Sequence, residues 1–396
     1  MTGSTQCTTK ATPPSPSWVE VSLDAIRHNV RETARLVGEG CGVWAVVKAN
    51  AYGHGALEVA RAALEAGAVG LAVASTDEAA ALRRSGICGP ILVLSAGDPA
   101  AAADMVQLGV TQTLCTTEMA EALAAAARQI GRPASVHVKV DTGMGRLGVL
   151  PENALAFVGS VCATPELRLE GVFSHLATAE DSDESYAREQ FARFQRVLAD
   201  LAAAGVRAGV RHIANSAATL RFPMMRLDVV RVGLLTYGID PGAAGAQPID
   251  LRPALTWKTR LAFTKRVPAG TCVSYGRTYT TDAERSLGVL PVGYADGYPR
   301  HASNRAKVLV RGRLCPVVGV VCMDHVIVDV TSAPGAAVGD EVILVGRQGN
   351  ATITANQLAE WADTVVHHIP TAIGSRAARV YLDRRTRPAS EVGSER

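Results

Sequence analysis

Polar and charged residues close one apolar run after another along the first half of the chain. The run 43–47 is followed by Lys48-Ala-Asn-Ala-Tyr52-Gly-His-Gly, and the run 136–140, which contains Lys139, leads into Asp141-Thr-Gly-Met-Gly-Arg146. The run 169–174 is followed by His175, and 211–215 ends in Asn215 before Ser216. The run 229–232 contains Arg231 and precedes Gly233 and Leu234. A lysine that closes an apolar run is partly desolvated, so its neutral, nucleophilic amine is favoured. That is what capture of an aldehyde cofactor requires. A buried arginine is a charged donor with no acceptor capacity, so it must face a partner or a ligand. The N–H groups of Gly233 and Leu234, with the hydroxyls of Ser216 and Tyr52, could cradle a phosphate. Taken singly, a snorkelling lysine, a core histidine or a plain turn glycine is the commoner fate of such residues. The small and aromatic residues after Lys48 favour the chemical reading, because glycine lets a ligand approach the backbone.

Something must bring these strand ends to one place. Eight short apolar runs (43–47, 69–74, 91–95, 110–115, 136–140, 169–174, 211–215 and 229–232) alternate with stretches of helical apolar spacing such as 56–66, 77–84, 118–129 and 184–204. This count and length fit an α/β fold of the (β/α)8 barrel type, whose catalytic groups sit at the C-terminal strand ends. A doubly wound open sheet is the alternative. Past about residue 242 the texture changes to β-branched runs separated by Gly and Pro, at 254–266, 286–292, 307–311, 316–330 and 341–347, which reads as a mainly β C-terminal domain. The expected division is a mobile tail over 1–17, a barrel over 18–242 (with 18–22 a candidate to pair with the β domain), a β domain over 243–382 and a mobile tail over 383–396. The β domain has three polar clusters, around Tyr275, around Tyr294, and at Cys322-Met323-Asp324.

Composition narrows the function classes. The 396 residues are 48% hydrophobic and 19% charged, enough apolar material for a large core. A formal charge of +3 is too small and too scattered to favour nucleic acid or a membrane surface. The eight cysteines are dispersed without a CxxC pair, which points to free thiols in a reducing compartment and to no metal site. No run is long and apolar enough for a transmembrane helix, and the N-terminal segment has no apolar core of a secretory signal. The expected location is the cytoplasm.

The segment AVVKANAYGHG resembles the cofactor-lysine motif of the alanine racemase family, the fold-type III pyridoxal-phosphate enzymes. The resemblance continues through VKVDTGMGRLGV, GVFSHLATAED, ANSAATLRFP, VRVGLLTYG, VSYGRTYTT, VGYADGYPR, VGVVCMDH and VGRQG, in the same order over roughly 18–382. It implies a pyridoxal 5'-phosphate enzyme that racemises alanine by two-base Cα proton transfer. Lys48 then holds the cofactor and serves as one base, and Tyr275 is the other. Arg231 faces the pyridine nitrogen, and His175 links it towards the tyrosine. Tyr52, Asn215, Ser216, Gly233 and Leu234 contact the cofactor, mainly its phosphate. Arg146 and the Met323 backbone meet the substrate carboxylate, with Asp324 beside Met323 and Tyr294 at the entrance. Lys139 braces Arg146 and is carbamylated in some members. The partners implied are a small amino acid and a second copy of the chain, in a homodimer with shared active sites. Decarboxylases on this barrel place an acid at the pyridine nitrogen, which Arg231 argues against, and bare-barrel cofactor binders lack the β domain. One position departs from the family: a tyrosine common before the IGSR-like segment is matched here by His367, which could keep a phosphate contact, open space near the substrate side chain and admit serine.

Overall fold

The computed structural model describes residues 15–242, 245–383 and 385. Two compact units emerge. One comprises the N-terminal residues up to Val21 with Leu255–Leu382, and the other Ser22–Ala254 with the residues after Leu382. The division thus falls later than the change of composition near Gly242. Segment 246–254 is tied back to the larger unit, with Asn29 Nδ2 donating to Arg252 O and Ala254 N to Tyr237 O.

The larger unit contains eight parallel strands: β2 (Gly42–Val46), β3 (Gly70–Val73), β4 (Ile91–Val93), β5 (Thr111–Leu114), β6 (Ala134–Lys139), β7 (Leu167–Phe173), β8 (Val210–His212) and β9 (Val229–Val232). Their order is β8-β7-β6-β5-β4-β3-β2-β9. The two ends meet through Asp228 N→Arg211 O and Arg231 N→Ala214 O, at 3.1 and 3.0 Å, which nearly close the barrel. The expected (β/α)8 architecture is what forms, and the open sheet is not. Parallel strands are covered on both faces, and β3, β4, β5 and β9 are buried at every position, although β5 reads Thr-Gln-Thr-Leu and β9 carries Arg231.

The helices between strands start and stop where local chemistry dictates. Thr116 accepts from Met119 N to cap Thr117–Ile130, and Gly131 (φ 75°) ends that helix in a left-handed turn. Ser22 caps Leu23–Val37 by accepting from Ala25 N. Arg27 on that helix, 4% exposed, binds both oxygens of Asp383 and also reaches Glu65 and Asp24. The expected C-terminal mobile tail is therefore pinned at Asp383. The rest of that tail, apart from Arg385, lies outside the described residues, as does 1–14 of the expected N-terminal one. Ser17 is buried in β1 (Ser17–Ser22), contrary to the expected mobility.

The smaller unit is mainly β. The sheet containing β1 runs β16 (Arg313–Pro316), β15 (Lys307–Val310), β18 (Glu341–Gln348), β10 (Leu255–Arg260), β1, β20 (Ala378–Leu382), with β19 (Ala351–Ile353) paired to β18. β1 pairs antiparallel with β10, from Ser17 opposite Thr259 to Val21 opposite Leu255. A second sheet orders β11 (Phe263–Val267), β14 (Arg285–Leu290) and β17 (Val326–Asp329), and β12 (Cys272–Val273) pairs with β13 (Tyr279–Thr280). The apolar run 316–330 is not one strand. β16 ends at Pro316 and β17 begins at Val326, and the loop between them carries Met323 and Asp324. Among the described residues no helix is long and apolar enough to cross a membrane.

Candidate active site

The barrel interior below the mouth is filled by Trp44 (β2), His137 (β6), Phe173 (β7) and His212 (β8). Trp44 lies 5.7 Å from the His137 ring and 6.0 Å from that of His212, between strands that are not neighbours, so these side chains meet across the interior. Phe173 stacks on His212 at 4.7 Å. Arg231 lies on this layer, 4% exposed, with its guanidinium 5.2 Å from the centre of the Phe173 ring.

The hydrogen bonds of Arg231 set the tautomers around it. Its Nη1 donates to His212 Nδ1 (2.7 Å), and its Nη2 donates to Ser174 O (2.9 Å), Ile213 O (3.2 Å) and His175 Nδ1 (3.2 Å). Arginine only donates, so both imidazoles must accept at Nδ1. Burial, reinforced by Arg231, holds His175 and His212 well below the ordinary histidine range, and the same causes push His137 down to about 3. All three rings are neutral at pH 7. His175 and His212 then carry their proton on Nε2, and His212 Nε2 donates to His137 Nδ1 at 2.9 Å. Burial and Arg146 pull Arg231 down to about 9, which leaves it charged at neutral pH. Among the described residues no acceptor is found for its Nε–H or for the second N–H of Nη1, which leaves Nε among the donors open to a ligand.

Lys48 lies two residues past the end of β2, after the buried Val47, and is half-buried. Burial first, then Arg146 and Arg231, lower its hold on the proton, while Glu78 opposes them. Lys139 is pulled down to about 8 by burial and by the same two arginines. Arg146 is set by a clamp beneath it. Asp141 accepts from the backbone N–H groups of Gly143, Met144, Gly145 and Arg146, at 2.8–3.1 Å. Burial pushes the Asp141 carboxyl up, but those four donors outweigh it and hold it below its ordinary value.

The backbone after Lys48 is unusual. Ala49, Asn50, Ala51 and Tyr52 are all left-handed, with φ between 50° and 54°. Each costs roughly 1–2 kcal/mol for an L-residue, so neighbouring contacts must over-determine the turn. Tyr52 is gripped most firmly, with its ring 5.0 Å from that of Tyr237. Its hydroxyl lies 2.5 Å from where a Cβ on Gly233 would stand. Gly233 has φ −97°, so glycine is needed there for Tyr52's approach and not for a turn. Burial pushes the Tyr52 phenol up to about 12, so it stays a neutral donor. Ser216 Oγ accepts from Gly233 N at 3.0 Å, which brings Tyr52, Ser216 and the Gly233–Leu234 backbone to one notch. Asn215 caps the helix Ser216–Arg221 by accepting from Ala218 N.

In the smaller unit, Tyr275, Tyr294 and Met323 are 73%, 43% and 53% exposed. The Tyr294 and Met323 loops are locked together: Tyr294 N donates to Cys322 O and Ala295 N to Met323 O, and a Cβ on Gly293 would fall 2.2 Å from Met323 O. Arg376 bridges Asp296 and Asp324, at 3.2 and 2.9 Å. His367 is half-buried just before the helix His368–Ala372. The barrel thus brings together Lys48, Tyr52, Lys139, Arg146, His175, Ser216, Arg231 and Gly233. Sequence reasoning missed Trp44, Glu78, His137, Asp141 and His212. Only His137 had a usable signal, since it precedes Lys139 by two residues on β6 and so shares its inward face. Among the described residues no group of His, Cys, Asp and Glu is placed to hold a metal ion.

The family model for the alanine racemase N-terminal domain matches residues 21–241, and that for the alanine racemase C-terminal domain matches 254–381. A Desulfovibrio desulfuricans protein named alanine racemase is 47% identical over 368 residues, covering 93% of this chain and 98% of its own. One of the same name from Symbiobacterium thermophilum is 48% identical over 366 residues, covering 92% and 97%. The crystal structure of alanine racemase from D-cycloserine-producing Streptomyces lavendulae superposes with a TM-score of 0.88 at 40% identity, covering 94% of this chain and 98% of that one.

The neutral histidines make a pH prediction. Their folded pKa values lie far below the unfolded value of about 6.5, so the unfolded chain gains protons first and stability falls as pH drops below that value. His137→Leu removes one such proton. Between pH 5.5 and 4.5 it should flatten the pH dependence of the unfolding free energy by about 1.4 kcal/mol per unit. Nitrogen-15 NMR should show His212 with its proton on Nε2 throughout pH 8 to 5.5. An unchanged slope, or a His212 ring that titrates near 6.5, would contradict the buried neutral chain.

Proposed function

The chain belongs to the alanine racemase family, and on that premise we propose that it interconverts L- and D-alanine with pyridoxal 5'-phosphate as cofactor. The observation that carries this reading is the barrel mouth itself, where a lysine with a lowered pKa, a notch of hydroxyl and backbone groups and an arginine with a free Nε converge. These residues fit the cofactor. The notch of Tyr52, Ser216, Gly233 and Leu234 would take the phosphate, Arg231 Nε the ring nitrogen, and Lys48 Nζ the aldehyde carbon. When bound, the group supplies an electron sink that acidifies the substrate Cα–H.

The chain's own residues supply the rest. Arg231 keeps its proton at neutral pH, so it binds the ring without protonating it. That restrains the sink and favours return of the proton over side reactions. Lys48, with its amine partly freed of its proton, acts as the base on one face of Cα. Tyr275 is our candidate for the other face. Its exposure supports presentation to the barrel mouth of a second copy, which is why we read the enzyme as a homodimer with shared sites. Arg146 would hold the substrate carboxylate, helped by the Met323 backbone. Lys139, pulled down to about 8, has enough neutral amine to react with carbon dioxide, and the resulting carbamate would brace Arg146 as an anion. The cysteines among the described residues are all free thiols, which supports a cytoplasmic location.

Two measurements test this. In D2O, the Tyr275→Phe enzyme should lose Cα exchange from one enantiomer of alanine by about 10²-fold or more, and far less from the other. Equal losses would sink the two-base assignment. For His367, whose imidazole is smaller than a phenol and can both donate and accept, alanine should be the best substrate and serine a secondary one. His367→Tyr should then lower the serine-to-alanine ratio of kcat/KM about threefold, roughly 0.6 kcal/mol of discrimination. An unchanged ratio would remove His367 from side-chain choice.

A further inference from the structure

Lys48 owes its place to the four left-handed residues behind it, and one carboxylate sits at the start of that turn. Glu78 Oε1 accepts from Ala49 N at 2.7 Å, and Oε2 accepts from Ala74 N at 2.7 Å. Ala74 directly follows β3 and Ala49 directly follows Lys48, so a single side chain ties the C-terminal ends of two neighbouring barrel strands. The spacing Ser75-x-x-Glu78 spells a capping box, and Ser75 does accept from Glu78 N at 3.3 Å. The carboxylate makes its two short bonds to the strand ends instead. Further along the turn, Asn50 Oδ1 accepts from Ala56 N at 2.9 Å, and Tyr237 Oη donates to Val46 O at 2.7 Å. The far end is therefore held by Asn50 and the aromatic pair of Tyr52 and Tyr237, and the Lys48 end by Glu78. Of the charged groups acting on Lys48, Arg146 and Arg231 repel its ammonium and Glu78 attracts it.

We infer that Glu78 is a positioning residue for Lys48: its carboxylate, shared between the backbone N–H groups of Ala49 and Ala74, holds the left-handed turn that aims the lysine over the barrel mouth. This rests on Lys48 being the amine that captures the cofactor. Glu78 touches neither cofactor nor substrate, and its effect passes through the Ala49 backbone. Glutamine at this position can accept from one of the two N–H groups but turns its own NH2 against the other.

The test uses the full chain, with and without pyridoxal phosphate. In the cofactor-free Glu78→Gln protein, amide hydrogen exchange over 49–55 should rise at least tenfold while β6 stays protected. Capture of pyridoxal phosphate by Lys48, fixed with borohydride at timed points, should slow about tenfold. Adding Ala49→Gly should recover at least threefold of that rate, because glycine takes positive φ without a Cβ penalty. Unchanged exchange over 49–55 would overturn the proposal, as would faster exchange with an unaltered capture rate, or slow capture that Ala49→Gly leaves slow. If the wild-type chain never captures the cofactor, the functional reading falls instead, and the exchange data still decide whether Glu78 holds the turn.

Discussion

Four cations share one barrel mouth, and the rest of the structure follows from holding them there. Arg146 and Arg231 each weaken the hold of Lys48 and Lys139 on a proton, Arg146 does the same to Arg231, and all four help keep His175 neutral. Such an arrangement is unfavourable unless each cation is fixed by packing and by acceptors. Arg231 is fixed over Phe173 by two histidines and two backbone carbonyls, Arg146 by the loop that Asp141 clamps, and Lys48 by a left-handed turn. The remaining field is positive and partly shielded from water. Anions are what it would accept, and a phosphate with a carboxylate substrate are two of them.

The same constraint explains the backbone. A right-handed helix after β2 would carry Lys48 and Tyr52 along a different path, and Tyr52 could not then enter the space left by the missing Cβ of Gly233. The left-handed stretch costs local energy, which contacts to Glu78, Asn50 and Tyr237 offset. Strain placed beside a half-buried lysine in this way is characteristic of functional sites.

Much of this was legible in the sequence, for identifiable reasons. The barrel strands showed because most of them, covered on both faces, are rich in apolar residues, although β5 (Thr-Gln-Thr-Leu) and β8 (Val-Arg-His) carry polar ones. Lys48 and Arg231 stood out because charge at the end of, or inside, such a run needs a reason. The left-handed turn did not show, since in Ala-Asn-Ala-Tyr only Asn carries any left-handed preference. Glu78 was hidden behind a capping-box pattern that its carboxylate does not complete. His212 depends on which side chains meet across the barrel, and pairing between non-neighbouring strands leaves no local trace, whereas His137 could have been found from its i−2 spacing to Lys139 on β6. The loop with Met323 was absorbed into an apolar run because Val317, Val318, Val320 and Val321 look like strand residues while the backbone there turns.

Two lysines lie in the field at the mouth, and Lys139 is pulled down to about 8. It is therefore the left-handed turn aiming Lys48 over the mouth that would single it out as the reactive amine. The most direct measurement is borohydride reduction of the pyridoxal-phosphate-loaded protein, followed by proteolysis and mass mapping of the pyridoxyl-phosphate label. The account predicts the label on the peptide containing Lys48, with none on the peptide containing Lys139. Label on Lys139, or scattered over surface lysines with Lys48 unmodified, would contradict it.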